Sequence, residues 1–276
     1  MRILLIGDIV GKPGERIVAK ALPALRQREA LDLVIANAEN AADGSGLSPS
    51  IYRRLIAAGV DAITLGDHIY RRSEISSVLQ SEANIVKPAN YPAAAPGRTW
   101  VVVAAANGTQ VAVTSLLGRV FMRPVDCPWQ AIERVLGELP AEVKVRVIDF
   151  HAEATSDKQL MGRYLDGRVT AVLGTHTHVT TADEQILPGG TAFQCDVGMT
   201  GPHDSILGRR VDRVLETTVT FQPTHFEVAT GDVRLCGTIV DCDADTGRAT
   251  AVRRLVVTQD EADRWSAAAP AGPPLM

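Results

Sequence analysis

Residues 3–8 read Ile-Leu-Leu-Ile-Gly-Asp, a short apolar run that ends at a carboxylate. The pattern returns at residues 31–40, where Leu-Asp-Leu-Val-Ile-Ala precedes Asn-Ala-Glu-Asn, and at residues 62–68, which read Ala-Ile-Thr-Leu-Gly-Asp-His. Helical spacing fills the intervals, over residues 15–28 and, after Ser48, over residues 49–58. Continuous apolar runs that alternate with helices indicate buried strands of a parallel or mixed sheet.

The rest of the chain continues this alternation. Asn107-Gly108 separates two apolar runs and predicts a hairpin. Further predicted elements are a helix at 128–139, strands at 144–150, 169–174 and 191–196, and hairpins turning at Gly231-Asp232 and near 243–247. We therefore predict one α/β domain over residues 1–260 with two sheets, and a disordered tail rich in Ala and Pro at residues 261–276.

The composition excludes several classes of protein. A net charge of −4 and an aromatic content of 4% give no basis for binding extended nucleic acid or a membrane surface. No apolar stretch is long enough for a transmembrane helix, and Asp8 interrupts the first apolar run too early for a signal peptide. The four cysteines form no Cys-x-x-Cys pair, so we expect reduced thiols in a cytoplasmic protein.

Five predicted strands end in residues that are suited to binding metal ions. Since the carboxyl ends of strands in α/β proteins form one crevice, these side chains are expected to converge there. Seven candidate ligands exceed the needs of one ion and predict a two-metal centre. The candidates are Asp8, Glu39, Asn40, Asp67, His151, His176 and His178. Each alone has a simpler explanation, such as a core histidine or a Gly-Asp turn, and only the joint pattern points to metal.

Four ordered blocks give the sequence a family resemblance. They are Gly7-Asp8-Ile9-Val10-Gly11, Leu117-Gly118-Arg119-Val120-Phe121-Met122, Asp149-Phe150-His151-Ala152-Glu153-Ala154-Thr155-Ser156 and Gly198-Met199-Thr200-Gly201-Pro202-His203-Asp204-Ser205. The order of the strand-end motifs, from Gly7-Asp8 through Asn37-Ala38-Glu39-Asn40, Gly66-Asp67-His68 and His151 to Gly174-Thr175-His176-Thr177-His178, resembles the calcineurin-like metallophosphoesterases. The four blocks resemble more narrowly their YmdB-like bacterial branch of cyclic-nucleotide phosphodiesterases, over about residues 1–258. The resemblance implies a four-layer αββα sandwich, two divalent or trivalent metal ions (iron, with manganese as the alternative) and a homo-oligomer.

The resemblance also implies how the ligands divide. One metal would take Asp8, Glu39, Asn40 and His178, and the other Glu39, Asp67, His151 and His176, with Glu39 bridging. The family normally has Asn where this chain has Asp67. The extra carboxylate would neutralise the centre, so we expect tightly held metals, or a preference for trivalent iron, at some cost in rate.

The implied reaction is hydrolysis of a small phosphodiester, a 2′,3′- or 3′,5′-cyclic nucleotide, by hydroxide activated at the metals. His68 would protonate the leaving oxygen, or alternatively would support or bind a metal. Gly201-Pro202 predicts a tight loop that would bring Thr200, His203 and Asp204, together with Ser205, to the pocket as weaker candidates for substrate contacts. Glu153, Thr155 and Lys158 beyond His151 are similar cases. Two rival functions stay open: a phosphomonoesterase or protein phosphatase, and a regulatory protein that senses nucleotides with little turnover.

Overall fold

The computed structural model describes residues 1–268, and strands and helices alternate through most of that range. The strands are β1 (Arg2–Ile6), β2 (Asp8–Ile9), β3 (Leu33–Asn37), β4 (Ala62–Thr64), β5 (Trp100–Ala104), β6 (Gln110–Leu117), β7 (Val145–His151), β8 (Ala171–Thr175), β9 (Gln185–Ile186), β10 (Ala192–Gln194), β11 (Met199–Asp204), β12 (Gly231–Cys242) and β13 (Ala249–Thr258). The helices are α1 (Gly11–Arg28), α2 (Pro49–Ala57), α3 (Ile75–Ser81), α4 (Pro128–Glu138), α5 (Thr155–Tyr164), α6 (Val211–Thr220) and α7 (Gln259–Ala268).

The first sheet is built around β1. Its neighbours are β3, which is parallel and leads on to parallel β4, and β12, which is antiparallel. The long strand β12 pairs along one edge with both β1 and β11, and along the other edge with β13. Strand β2 completes this sheet by pairing with β11. The carboxyl ends of β1, β3 and β4 therefore lie side by side.

The second sheet has the order β5-β6-β7-β8-β10-β9. Strands β6, β7, β8 and β10 are parallel, whereas β5 and β9 pair antiparallel at the two edges. The hairpin predicted around Asn107-Gly108 is confirmed, because β5 and β6 pair antiparallel across it. This sheet brings the ends of β7 and β8 together.

Three apolar layers separate the sheets and helices. Alternate residues of the buried strands point to opposite faces: Leu4 of β1 packs against α1 and its neighbouring helices, while Ile3 and Leu5 pack between the two sheets. On the outer face of the second sheet, Ile148 and Phe150 of β7 pack with residues of α4 and α5. This order of helix, sheet, sheet and helix confirms the predicted four-layer αββα sandwich.

Helix boundaries follow local chemistry. Ser48 caps α2, since its hydroxyl accepts a hydrogen bond from the Ile51 amide at 3.4 Å, and Pro49 occupies the first helical position. The four cysteines are free thiols. Within residues 1–268 no helix is long and apolar enough to cross a membrane.

Three expectations need correction. Residues 261–268 belong to helix α7, where buried Ala262 packs into the core, and are not a disordered tail; residues 269–276 lie outside the described residues. Gly231-Asp232 opens strand β12 and does not turn a hairpin between adjacent strands, whereas the hairpin near residues 243–247 joins β12 to β13. The segment containing Gly201-Pro202 is strand β11 and not a tight loop.

Candidate metal centre

The ends of strands from both sheets meet at one crevice. Glu39 follows β3 and Asp67 follows β4 in the first sheet, while His151 ends β7 and His176 follows β8 in the second. One ligand atom from each of these four residues lies within 4.8 Å of the other three. The His151 Nε2 atom is 3.1 Å from Glu39 Oε1, 3.3 Å from Asp67 Oδ1 and 3.0 Å from His176 Nδ1. These four side chains therefore form one group of potential metal ligands.

A second group lies beside the first. The His178 Nε2 atom is 3.7 Å from Asp8 Oδ1 and 3.3 Å from Asn40 Nδ2. Asn40 Nδ2 is also 3.3 Å from Glu39 Oε1, so Glu39 touches both groups. All seven predicted ligands are thus brought together, with Glu39 at the junction of the two groups.

His68 borders both groups from the more open side. Its side chain is 30% exposed, while its backbone amide donates to Glu39 Oε2 at 2.8 Å. Its Nδ1 atom lies 2.6 Å from Asn40 Oδ1, and its Nε2 atom lies 3.8 Å from Asp67 Oδ2. His68 is therefore the histidine of this crevice that solvent or a bound molecule reaches most easily.

The absence of a side chain at Gly66 makes this convergence possible. A Cβ atom there would overlap the imidazole of His151 and would lie 2.6 Å from Glu39 Oε2. Since both close contacts are with predicted ligands, an alanine at this position should displace the Glu39 carboxylate or the His151 imidazole from the centre.

Opposite charges shift the pKa values of the buried groups. Burial lowers the pKa of His151, but the charge of Glu39 and hydrogen bonds to Asp67 and Glu39 outweigh it and hold this pKa well above the ordinary value. The pKa of His178 is likewise raised, because a hydrogen bond to Asp8 overcomes burial. Burial raises the pKa values of Asp8 and Asp67, yet their histidine partners lower both below the usual range. Without metal ions, these pairs favour charged imidazole and carboxylate.

Buried hydrogen bonds set the orientation of His151. Asp149 accepts from the hydroxyl of Thr175 at 2.6 Å, from the hydroxyl of Thr64 at 2.5 Å and from Asn37 Nδ2 at 3.0 Å. Because the Thr175 hydroxyl donates to Asp149, its lone pair accepts from His151 Nδ1 at 2.8 Å. In the neutral ring that a metal ion requires, the proton would therefore sit on Nδ1, and the lone pair of Nε2 would face Glu39 and Asp67.

A buried ion pair sets the position of the other two histidines. His176 and His178 have backbone φ values of +96° and +66°, which residues other than glycine rarely adopt. Thr177 between them donates through its amide at 3.0 Å and its hydroxyl at 2.8 Å to Asp196 Oδ2. Lys158 Nζ donates to the same oxygen at 2.8 Å, and both charged side chains are buried. Asp196 and Lys158 thus hold this turn in its unusual conformation.

The weaker candidates for substrate contacts do not join the crevice. The hydroxyl of Thr200 is paired with the backbone of Cys236 inside the sheet, at 3.0 and 3.1 Å. His203 contacts Gly201 O and Cys236 Sγ, and Asp204 is exposed at the end of β11. The physical reason is side-chain pairing: β11 lies beside Asp8 through its pairing with β2, but the Thr200 hydroxyl and the His203 ring contact Cys236 of β12 and not the ligands.

Residues just beyond His151 are better placed. The Glu153 Oε2 atom is 3.1 Å from His176 Nε2, and Lys158 takes part in the ion pair with Asp196. Sequence reasoning missed Asn37, Thr64, Asp149, Thr175 and Asp196. Thr175 directly precedes the predicted ligand His176, and Asp149 lies two residues before His151, which was a usable signal. Asp196 ends a predicted strand and was a comparable one.

The donor set fits transition-metal ions. Carboxylates and imidazoles converge from four strand ends, and a mixed oxygen and nitrogen set of this kind suits iron, manganese or zinc. His151 donates from Nδ1 to the Thr175 hydroxyl and turns Nε2 toward Glu39, an arrangement that is common among metal-binding histidines.

Known proteins resemble this chain over nearly its whole length. Residues 4–255 match the family described as YmdB-like protein. A 2′,3′-cyclic-nucleotide 2′-phosphodiesterase from Bacillus subtilis is 44% identical over 260 residues, covering 94% of this chain and 98% of that protein. A solved structure of a hypothetical protein from Thermus thermophilus has a TM-score of 0.88 at 43% identity, covering 94% of this chain and 99% of its own. A novel phosphatase from Mycoplasma pneumoniae has a TM-score of 0.87 at 31% identity, covering 94% and 93%.

Proposed function

The chain belongs to the YmdB-like protein family, and from this premise we propose that it is a metal-dependent phosphodiesterase acting on 2′,3′- or 3′,5′-cyclic nucleotides. The observation that carries the proposal is the meeting of carboxylates and imidazoles from both sheets around Glu39. The family match spans all seven residues of this crevice that we predict as ligands. By the same family resemblance we expect a homo-oligomer, and the free thiols favour the cytoplasm.

Two metal ions, iron or manganese, would be held by the seven predicted ligands. Asp8, Glu39, Asn40 and His178 would hold one, and Glu39, Asp67, His151 and His176 the other, in agreement with the two groups of contacts. Bound ions would neutralise phosphoryl oxygens and make water a better nucleophile near neutral pH.

Asn40 links this ligand set to the proton donor. Its Oδ1 atom lies 2.6 Å from His68 Nδ1, and its Nδ2 atom faces Asp8 and His178. In the imidazolium form of His68, Nδ1–H would donate to this oxygen and a second proton would sit on Nε2. From Nε2 the imidazolium would protonate the leaving oxygen and end as neutral imidazole.

Hydrolysis of 2′,3′-cyclic AMP by the purified protein tests the proposal. With added Mn²⁺ we expect release of a nucleoside monophosphate, and a chelator should abolish it. Glu39→Gln should remove this activity and at least one metal ion, since Glu39 contacts both groups. Glu142→Gln, an exposed site away from the crevice, is the matched control. No product from a protein that holds two metal ions would refute the phosphodiesterase and favour a nucleotide sensor.

The role of His68 can be tested separately with two leaving groups. His68→Asn should lower kcat by about 100-fold for a cyclic nucleotide, whose alkoxide leaving group needs a proton. The same variant should lose much less activity on bis(p-nitrophenyl) phosphate, because nitrophenolate leaves without protonation. Equal losses on both substrates would show that His68 supports the metals instead.

Phosphomonoester hydrolysis is the second candidate, favoured by the structural similarity to a phosphatase. The same donor set could serve both ester classes, so the ligands do not separate them. Competition between 2′,3′-cyclic AMP and p-nitrophenyl phosphate decides the matter: the better substrate inhibits hydrolysis of the other at the lower concentration.

A further inference from the structure

A cavity of about 760 Å³ opens beside the metal centre. Its wall includes Ala42 to Ser45 on one side, Arg71 and Arg72 on another, and residues 224–228 with Arg209 on the third. None of the seven predicted metal ligands lines it. The cavity is therefore a separate feature of the surface.

Short connections join this cavity to the centre. Asn40 lies two residues before Ala42, and His68 lies three residues before Arg71. The His178 Nδ1 atom is 3.1 Å from Leu207 O, and Arg209 lies two residues further along the chain. Three sides of the centre thus continue into the cavity wall, so a molecule bound at the metals could extend into it.

The charge of the cavity favours an anion. Its carboxylates are already paired, Asp43 with Arg72 at 3.1 Å and Glu227 with Arg210 at 2.7 Å. Arg71 is exposed and makes no ion pair with any carboxylate within residues 1–268. Arg209 donates to the backbone oxygens of Asp43 and Phe226 at 3.0 and 2.8 Å, so no carboxylate cancels its charge.

The cavity also offers an aromatic surface. The Phe226 side chain lies in the wall and is 38% exposed, although phenylalanine is normally buried. A planar base could stack on such a ring, while a guanidinium binds a phosphate through paired hydrogen bonds. An arginine and an exposed phenylalanine in one cavity suit a nucleotide better than an inorganic anion.

We propose that this cavity binds a second phosphate group of the substrate, so that the preferred substrate is a nucleotide carrying a phosphate besides the cyclic one. Arg71 would contact that phosphate, and Phe226 would contact the base. The inference rests on the proposed function, because it extends the same site from the cleaved phosphodiester to its neighbouring phosphate.

Adenosine 2′,3′-cyclic phosphate with and without a 5′-phosphate tests the inference. The wild-type protein with Mn²⁺ should show a KM about tenfold lower for the 5′-phosphorylated compound. Arg71→Ala should remove that advantage while leaving kcat for both compounds, and KM for the unphosphorylated one, within about twofold. Arg71→Lys, which keeps the charge, should restore part of it. Arg53→Ala, another exposed arginine, is the matched control.

Three outcomes would count against the subsite or separate it from the proposed function. Equal KM values for the two compounds in the wild-type protein would overturn it, as would an equal rise in both KM values in Arg71→Ala. If neither compound is hydrolysed, the proposed function fails, and calorimetry with adenosine 5′-monophosphate and chelated protein decides the subsite. Weaker binding to Arg71→Ala than to Arg53→Ala would then support it, and equal binding would overturn it.

Discussion

The crevice holds its histidines in two different ways. His151 is the last residue of strand β7, and its neighbours in β6 and β8 fix its backbone. His176 and His178 lie in a turn beyond β8, both with positive φ, and depend on the contacts of Thr177 with Asp196. Where a strand supplies the ligand, one hydroxyl that donates to Asp149 orients the ring. Where a turn supplies it, a buried ion pair must hold the backbone.

Breaking the ion pair between Lys158 and Asp196 should have the largest effect on stability and metal binding. Lys158→Met leaves the buried Asp196 carboxylate without its partner, so we expect a loss of about 3–5 kcal/mol in the free energy of unfolding. Metal analysis should show fewer ions bound, because the turn that carries His176 and His178 loses its anchor. Urea unfolding and metal content check the two parts.

The double variant Lys158→Met/Asp196→Asn serves as the control. It removes both charges, so it should recover part of the stability while metal binding stays weak. A single Lys158→Met variant with unchanged stability and full metal content would show that the turn holds itself.

The aiming of the strand histidine can be tested with two threonines. Thr175 and Thr64 both donate to Asp149, but only Thr175 also accepts from His151. Thr175→Val should therefore lower metal affinity about 10- to 100-fold. Thr64→Val should cost similar stability but leave metal affinity nearly unchanged. Equal affinities in competition with a chelator would refute the orienting role of Thr175.

The stability of the chelated protein should depend on pH, because the strand histidine and the turn histidine His178 both face carboxylates. The raised pKa values of His151 and His178 contribute stability that is complete below about pH 6.5 and is lost as pH rises through the folded-state values. The lowered pKa values of Asp8 and Asp67 contribute stability above about pH 4, which is lost at stronger acidity.

Between pH 5.5 and pH 8.5 the Tm in chelator should therefore fall by roughly 5 °C from this source. Added Mn²⁺ should reverse the trend, since metal ions bind neutral imidazole and compete with protons. A Tm in chelator that rises over this range would contradict the charged histidine–carboxylate pairs.

Replacing Asp67 should have the smallest effect on metal affinity and turnover. Asp67 contacts the strand histidine at 3.3 Å and His176 of the turn at 3.5 Å, so it links the two arrangements. Asp67→Asn keeps an oxygen ligand but removes one negative charge. We expect metal affinity to fall a few-fold and turnover to rise a few-fold. Unchanged metal content and turnover would show that the extra carboxylate has no effect.

The sequence predicts the strands that form the crevice better than it predicts their surroundings. The runs before Asp8, Glu39 and Asp67 are buried on both faces, so hydrophobicity alone reveals them. Helix α6 is absent from the predicted elements, although Val211, Leu215 and Val219 follow helical spacing; none of its residues is buried, so the core does not require it. Strand β11 contains Gly201 and Pro202 and lacks strand-like alternation, and its structure depends on pairing with β2 and β12, which are distant in the chain.

The same difference applies within the site. Metal-binding residue types at strand ends can be recognised in the sequence, and all seven predicted ligands converge in the structure. The roles of Asp149, Thr175 and Asp196 depend on which strands are adjacent and on which face each side chain lies. That information comes from the pairing of two sheets and from the path of a turn, neither of which is encoded in local periodicity.

The position of β1 between β3 and β12 also determines when the centre can be completed in a growing chain. Arg2 to Ile6, directly before Asp8, pair with residues 237–241. During translation the first sheet therefore waits for one of its inner strands until most of the polypeptide has left the ribosome. We expect metal insertion to follow synthesis, so a ribosome-bound chain halted after His178 should bind metal ions less tightly than the released protein.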